Sequence, residues 1–202
     1  MLRISVLVSG GGTNLQAVID GVESGFLQNA EIVLVISSNP NAFSLERAKK
    51  HKIRSMVIDR TDYPAREERT RAIIAALDEA KTDLVILAGY MSILDPKLVE
   101  AYRGRIINIH PSLIPQFCGP GFYGKHVHEA VLAAGASETG ATVHYVDEGV
   151  DTGPIILQEK VPVLKEDTAD TLAARVLETE HRILREAVNI VKASILKEEG
   201  GR

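Results

Sequence analysis

The sequence predicts an α/β protein, doubly wound around a mostly parallel sheet and ending in a long helix, on two observations. Short β-branched runs alternate through the first half with segments of helical length. The runs are also continuously apolar, which marks strands covered by helices on both faces, since polar alternation survives only where one face meets water.

The strands expected in order are Leu2–Val8, Ile32–Ile36, Met56–Ile58, Leu84–Leu87 and Ile106–Ile109, all rich in the branched side chains that pack well on a pleated surface. Helical segments lie between most of them, as parallel strands require crossover connections. Prolines and glycines from Pro111 to Gly124 then impose a loop. Beyond it come a short helix near Val127–Ala134, a strand near Ala141–Val146, a second extended run Pro154–Val163 and a last helix from about Thr168 to Lys197. In that helix Ala173, Val176, Leu177, Ile183, Leu184, Ala187 and Val191 form an i, i+3, i+4, i+7 stripe, and Glu180 falls within it. A carboxylate there either snorkels at the stripe's edge, pairs with a local Arg, or contacts a ligand.

Composition narrows the function. The 202 residues are 45% apolar and 25% charged, the balance of a soluble globular chain that can bury a full core. With 23 Lys and Arg against 27 Asp and Glu, the net charge of −4 argues against an electrostatic nucleic-acid binder, which needs a basic surplus. A single cysteine, Cys118, excludes an internal disulfide. No stretch reaches the roughly 18 uninterrupted apolar residues of a membrane span, and the N-terminal run is too short for a signal-peptide core. The expectation is one domain over residues 1–202, cytoplasmic, with neither nucleic acid nor membrane as partner; a homodimer is left open.

Ser9-Gly10-Gly11-Gly12-Thr13-Asn14-Leu15 follows the first strand and opens the first helix. Glycines admit a ligand close to the backbone and free helix N–H groups favour an anion, so a phosphate site is chemically sensible; a tight turn capped by Thr13 or Asn14 is the alternative. Leu15 stands where a dinucleotide fingerprint needs its third glycine, and a phosphate monoester fits better than NAD. The run Gly119–His126 narrowly misses the nucleotide P-loop pattern, because His126 has no hydroxyl for magnesium.

Asn108 and His110 lie two apart at the end of the fifth strand, so they project together beyond the carboxyl edge of the sheet. An amide that donates to an oxyanion and an imidazole that shuttles protons suit acyl transfer; a strand-end amide and a structural histidine are the alternative. Asp147–Pro154 is an acidic turn, either a solvated connector or the source of a carboxylate for His110. His126, His128 and His144 lack metal-ligand spacing, and no metal is expected. Ser112, near His110, lies between prolines with no G-x-S-x-G elbow, which argues against a covalent nucleophile.

The run Asn108-Ile109-His110-Pro111-Ser112-Leu113-Ile114-Pro115, with Asp151-Thr152-Gly153-Pro154 downstream, resembles the folate-dependent formyltransferase family. Ser9–Leu15, Leu87–Met91 and Thr179-Glu180-His181 extend the resemblance over nearly the whole chain and imply a Rossmann-like formyltransferase domain. The implied activity moves a formyl group from 10-formyltetrahydrofolate to the amine of glycinamide ribonucleotide in purine synthesis, by direct amine attack and without a metal. Asn108, His110 and Asp151 would be catalytic. Gly12, Thr13, Asn14 and Glu180 would bind the ribonucleotide, and Arg66, Met91, Ser92, Ile93, Leu94 and Asn108 the folate. Ser92 replaces an Arg common in the family, and Gln116–Gly124 is longer than its shortest form. The resemblance also covers a formyltetrahydrofolate hydrolase, which would add an N-terminal domain, and a tRNA formyltransferase, which would add a C-terminal one. A phosphate-binding module without turnover is the reading from another class.

Overall fold

Seven strands form one sheet in the order β3-β2-β1-β4-β5-β6-β7 in the computed structural model, which describes residues 1–200. In chain order the elements are β1 (Leu2–Val8), α1 (Thr13–Glu23), β2 (Ala30–Ser37), α2 (Phe43–Lys50), β3 (Ser55–Val57), α3 (Arg66–Glu79), β4 (Leu84–Leu87), α4 (Pro96–Ala101), β5 (Ile106–His110), α5 (Lys125–Ala133), β6 (Glu138–Tyr145), β7 (Ile155–Pro162) and α6 (Ala169–Gly200). The first five strands are parallel, β6 runs antiparallel to β5, and β7 runs antiparallel to β6. β3 sits one residue earlier than its apolar run, because its rungs against β2 join Val35 to Ser55 and Ser37 to Val57.

Both faces are covered, which is why the strands read as continuous apolar runs. Ile4, Val6 and Val8 of β1 pack with Leu15 and Val18 of α1 and with Ile183, Leu184 and Ala187 of α6. Leu7 turns to the opposite face, where Leu34 and Val85 meet Ile73 and Leu77 of α3 and Leu98 of α4. Each fully buried Leu, Ile or Val contributes about 1.5–3 kcal/mol. The polar exception in β1, Ser5, is satisfied by Thr82 through a 2.7 Å hydroxyl contact.

The buried face of α6 runs through Leu172, Val176, Thr179, Glu180, Ile183, Leu184, Ala187, Val188 and Val191. Ala173 and Leu177, expected on the stripe, are half-buried at its edge. This helix spans β6, β7 and α1, so it carries Glu180 back to the first helix of the chain.

Candidate active site

The site lies beyond the carboxyl ends of the parallel strands, on either side of the point where chain order reverses between β1 and β4. Beyond β4 and β5 opens a cleft of about 380 Å³, within the range of small-molecule sites. Its walls are Met91–Leu94, the end of β5, the loop Gly119–Gly124 and the turn around Asp151. Met91 and Ile93 are 54% and 66% exposed, large apolar side chains that offer a flat ring a surface to pack on.

Asn108 and His110 both reach this cleft, as their spacing on β5 predicts. Asp151 joins them: its Oδ2 lies 3.6 Å from His110 Nδ1, and its Oδ1 accepts from Asn108 Nδ2 at 3.4 Å. The backbone N–H of Gly119 donates to Oδ2 at 2.9 Å. Burial opposes ionisation of Asp151, but the contact with His144, the charge of His110 and the Gly119 N–H outweigh it and hold the carboxyl below its ordinary value. The opposite ring nitrogen of His110, Nε2, faces the Phe117 carbonyl at 2.9 Å, a contact that requires N–H on Nε2. Nδ1 is therefore the ring atom turned to the carboxylate.

The acidic turn is a built one. Asp147 Oδ1 accepts from the Gly149 N–H at 3.0 Å and from the Thr152 hydroxyl at 2.6 Å. Asp151 adopts φ 57, and a Cβ on Gly153 would stand 1.8 Å from the Tyr145 carbonyl oxygen, so the chain can make this bend only with glycine there. The solvated-connector alternative fails for Asp151, whose side chain is 11% exposed.

His144, set aside by the metal-spacing argument, belongs to the same cluster. It is paired with Asn108 across the β5–β6 ladder; its Nε2 is 3.2 Å from Asn108 Nδ2 and 3.6 Å from Asp151 Oδ1. Its Nδ1 contacts the Tyr145 carbonyl at 2.8 Å. Only the antiparallel register makes it Asn108's neighbour, and a single sequence does not display that register. Ser112 is fully buried and donates to the Gln116 carbonyl at 2.7 Å, a loop fastening that removes it as a nucleophile.

At the glycine loop, Gly12 caps α1 with φ 71, and no side chain caps the helix. A Cβ on Gly12 would lie 2.6 Å from that of Ser44. Thr13 and Asn14 thus leave the first N–H groups of α1 without side-chain acceptors, the condition for an anion site. Asn14 turns to α6 and donates from Nδ2 to Glu180 Oε2 at 2.7 Å. Glu180 is buried, and that burial pushes its carboxyl above the ordinary range, with the Asn14 hydrogen bond working against the rise. Edge snorkelling and an Arg partner are both excluded for it.

Ser9 Oγ accepts from the Met91 N–H at 2.9 Å and ties the glycine loop to the wall of the cleft. Arg66 is not part of the cleft lining: it donates to the Leu94 carbonyl at 2.9 Å, lies 3.4 Å from Asp95 and braces Met91–Leu94. Ser92 sits beside Tyr90, whose phenol is pushed up by burial while a hydrogen bond from Ser92 opposes the rise.

An amide, an imidazole and a carboxylate at one end of a cleft, next to an uncapped helix N-terminus, are the equipment of an acyl-group transferase acting on a phosphorylated substrate. A family model described as formyl transferase matches residues 2–188, and the chain belongs to that family. The phosphoribosylglycinamide formyltransferase of Haemophilus influenzae is 43% identical over 91% of this chain and 84% of its own length. The trifunctional purine biosynthetic protein adenosine-3 of Drosophila pseudoobscura pseudoobscura is 46% identical over 96% of this chain, which spans only 14% of that longer protein. Among solved structures, glycinamide ribonucleotide transformylase 1 from Symbiobacterium toebii superposes with a TM-score of 0.89 at 42% identity, covering 96% of this chain and 89% of that one.

Proposed function

We propose that the chain, as a single cytoplasmic formyltransferase domain, transfers a formyl group from 10-formyltetrahydrofolate to the amine of glycinamide ribonucleotide. The observation that carries this reading is the meeting of Asn108, His110 and Asp151 at the cleft, with His110 Nδ1 3.6 Å from the carboxylate. In the proposed reaction the amine nitrogen attacks the formyl carbon and the carbonyl π electrons move to oxygen. Asn108 Nδ2–H and the Nδ1–H of protonated His110 donate to that oxyanion. Collapse re-forms C=O and breaks the bond to the folate nitrogen, while the proton lost by the amine passes to that nitrogen through Asp151 and water. No covalent enzyme intermediate forms, in keeping with the burial of Ser112.

In this reading the N–H groups of Gly12, Thr13 and Asn14 receive the ribonucleotide phosphate and Glu180 a sugar hydroxyl. The folate ring lies along Met91, Ser92, Ile93 and Leu94 beside Asn108, with Arg66 at the rim. Two strand spacings of about 4.8 Å each separate β1 from β5, so one extended substrate reaches from the glycine loop to His110. The test is a formyl-transfer assay run with and without the ribonucleotide. Release of tetrahydrofolate that depends on the ribonucleotide is the expected result; release without it would make the chain a hydrolase, and ligand binding without release would make it a binding module.

Glu180 yields a separate expectation. Its folded-state carboxyl titrates above the unfolded value, so the unfolded chain releases that proton first and ligand-free stability falls as pH rises beyond the ordinary Glu range. Glu180→Gln removes this loss, and urea unfolding should show the variant gaining on the parent chain between pH 4 and pH 7. The same variant should bind the ribonucleotide about tenfold or more weakly, having lost one of the two carboxyl oxygens that accept from it and from Asn14. A stability difference that does not change with pH would contradict the first expectation.

A further inference from the structure

Beside the glycine loop, a groove between α1, α2 and α6 carries positive charge that the chain does not balance. Its volume is about 230 Å³, and its lining includes Thr13, Gln16, Asp20, Arg47, His181 and Arg185. Arg47 and Arg185 are both half-buried, and among the described residues neither forms an ion pair with a carboxylate. Arg47 donates from Nε to the Gly11 carbonyl at 2.8 Å and from Nη1 to Gln16 Oε1 at 3.1 Å, and Arg185 donates from Nε to the His181 carbonyl at 3.0 Å. The remaining guanidinium N–H groups are free to bind an acceptor. Aromatic rings hold both heads in place, with Phe43 5.1 Å from Arg47 and Phe26 5.5 Å from Arg185.

His181 adds a further polar atom. Its Nε2 is buried and has no hydrogen-bond partner, a condition that native structures rarely leave unexplained. Burial lowers its pKa, as do the charges of Arg185 and Arg47, with Asp20 opposing them. A neutral imidazole carrying its proton on Nε2 would donate to an anion at this site. The one carboxylate in the lining, Asp20, accepts from Gln16 Nε2 at 2.8 Å and stands against two guanidinium charges. Two forked cations and an imidazole suit a tetrahedral oxyanion of double charge better than a planar carboxylate of single charge. The volume accommodates it, since one water occupies about 30 Å³ of liquid.

We propose that this groove binds a phosphate dianion through Arg47, Arg185 and His181 Nε2. This phosphate is a second one, bound beside the glycine loop and distinct from the ribonucleotide's own, so the site does not rest on the function proposed above. Thr13 is shared between the groove and the glycine loop and places the two alongside each other.

The experiment is calorimetric titration of the full chain with inorganic phosphate, alone and saturated with glycinamide ribonucleotide, together with titration of the ribonucleotide itself. Saturation removes any signal from the glycine loop. The parent chain is compared with Arg185→Gln, Arg185→Lys and His181→Ala, each checked for folding by circular dichroism. His181→Ala removes a donor and no guanidinium, so it decides alone if Arg185→Gln fails to fold. Phosphate uptake by the ribonucleotide-saturated chain, weakened at least tenfold in Arg185→Gln or His181→Ala and partly restored in Arg185→Lys, establishes a second phosphate. Competition between phosphate and ribonucleotide, with the ribonucleotide Kd raised about tenfold in the same variants, would make the groove part of the substrate's own site and overturn the proposal. Folded variants that bind both ligands as the parent chain does would overturn the proposal. These are binding readouts, so they stand or fall separately from turnover.

Discussion

His110→Ala should lower kcat by about 10⁴-fold, roughly 5.5 kcal/mol of barrier, while the KM of each substrate stays within a few-fold of its starting value. The magnitude combines two losses, the donor to the oxyanion and the group through which Asp151 influences the reacting centre. Both exist only as charge develops, so they belong to the transition state and not to substrate capture. The imidazole is 6% exposed and contacts the Phe117 carbonyl through Nε2, and a folding check on the variant is needed to exclude loop collapse. Steady-state kinetics with each substrate varied in turn decides the matter. A loss expressed wholly as raised KM with kcat intact would contradict the proposed role.

Asp151→Asn should reduce kcat by about 10³-fold, close to 4 kcal/mol, again with little change in KM. Asn is the informative replacement because it matches the shape of Asp and tolerates the left-handed backbone at φ 57, where Ala would add strain. It keeps an oxygen for the Gly119 N–H but brings an NH₂ group where Asn108 Nδ2 already donates, and it removes the charge beside His110. The double variant with His110→Ala should be slower than His110→Ala alone, but by less than the full Asp151→Asn loss, since Asp151 acts both through the imidazole and as the proton relay. Fully additive losses would show that the carboxylate has no part in the action of the histidine.

Much of this site was legible in residue order. The i, i+2 spacing placed Asn108 and His110 on one side of β5, and the cleft contains both. The glycines at the start of α1 indicated an anion site, and the uncapped N-terminus leaves its N–H groups available for one. Glu180 was visible as a carboxylate on an apolar stripe, although the partner that holds it was not. Arg66 was indicated by the family resemblance and not by spacing, and the fold sets its guanidinium on the Leu94 carbonyl at the edge of the Met91–Leu94 wall. Residue order did not mark His144 as a neighbour of Asn108, because that contact comes from the adjacent strand.

Local periodicity and composition determined the strands, the crossover helices, the layered class and the types of chemistry on offer. Those features depend on interactions a few residues apart, which side-chain order records directly. Tertiary structure alone decided that Asn14 meets Glu180 across 166 residues, that Asp151 closes on His110 and Asn108, and that two guanidiniums share one groove. Such meetings follow from strand order, register and helix packing, in which the whole buried surface selects one arrangement, and no spacing within a segment encodes the distance between its side chain and a remote one.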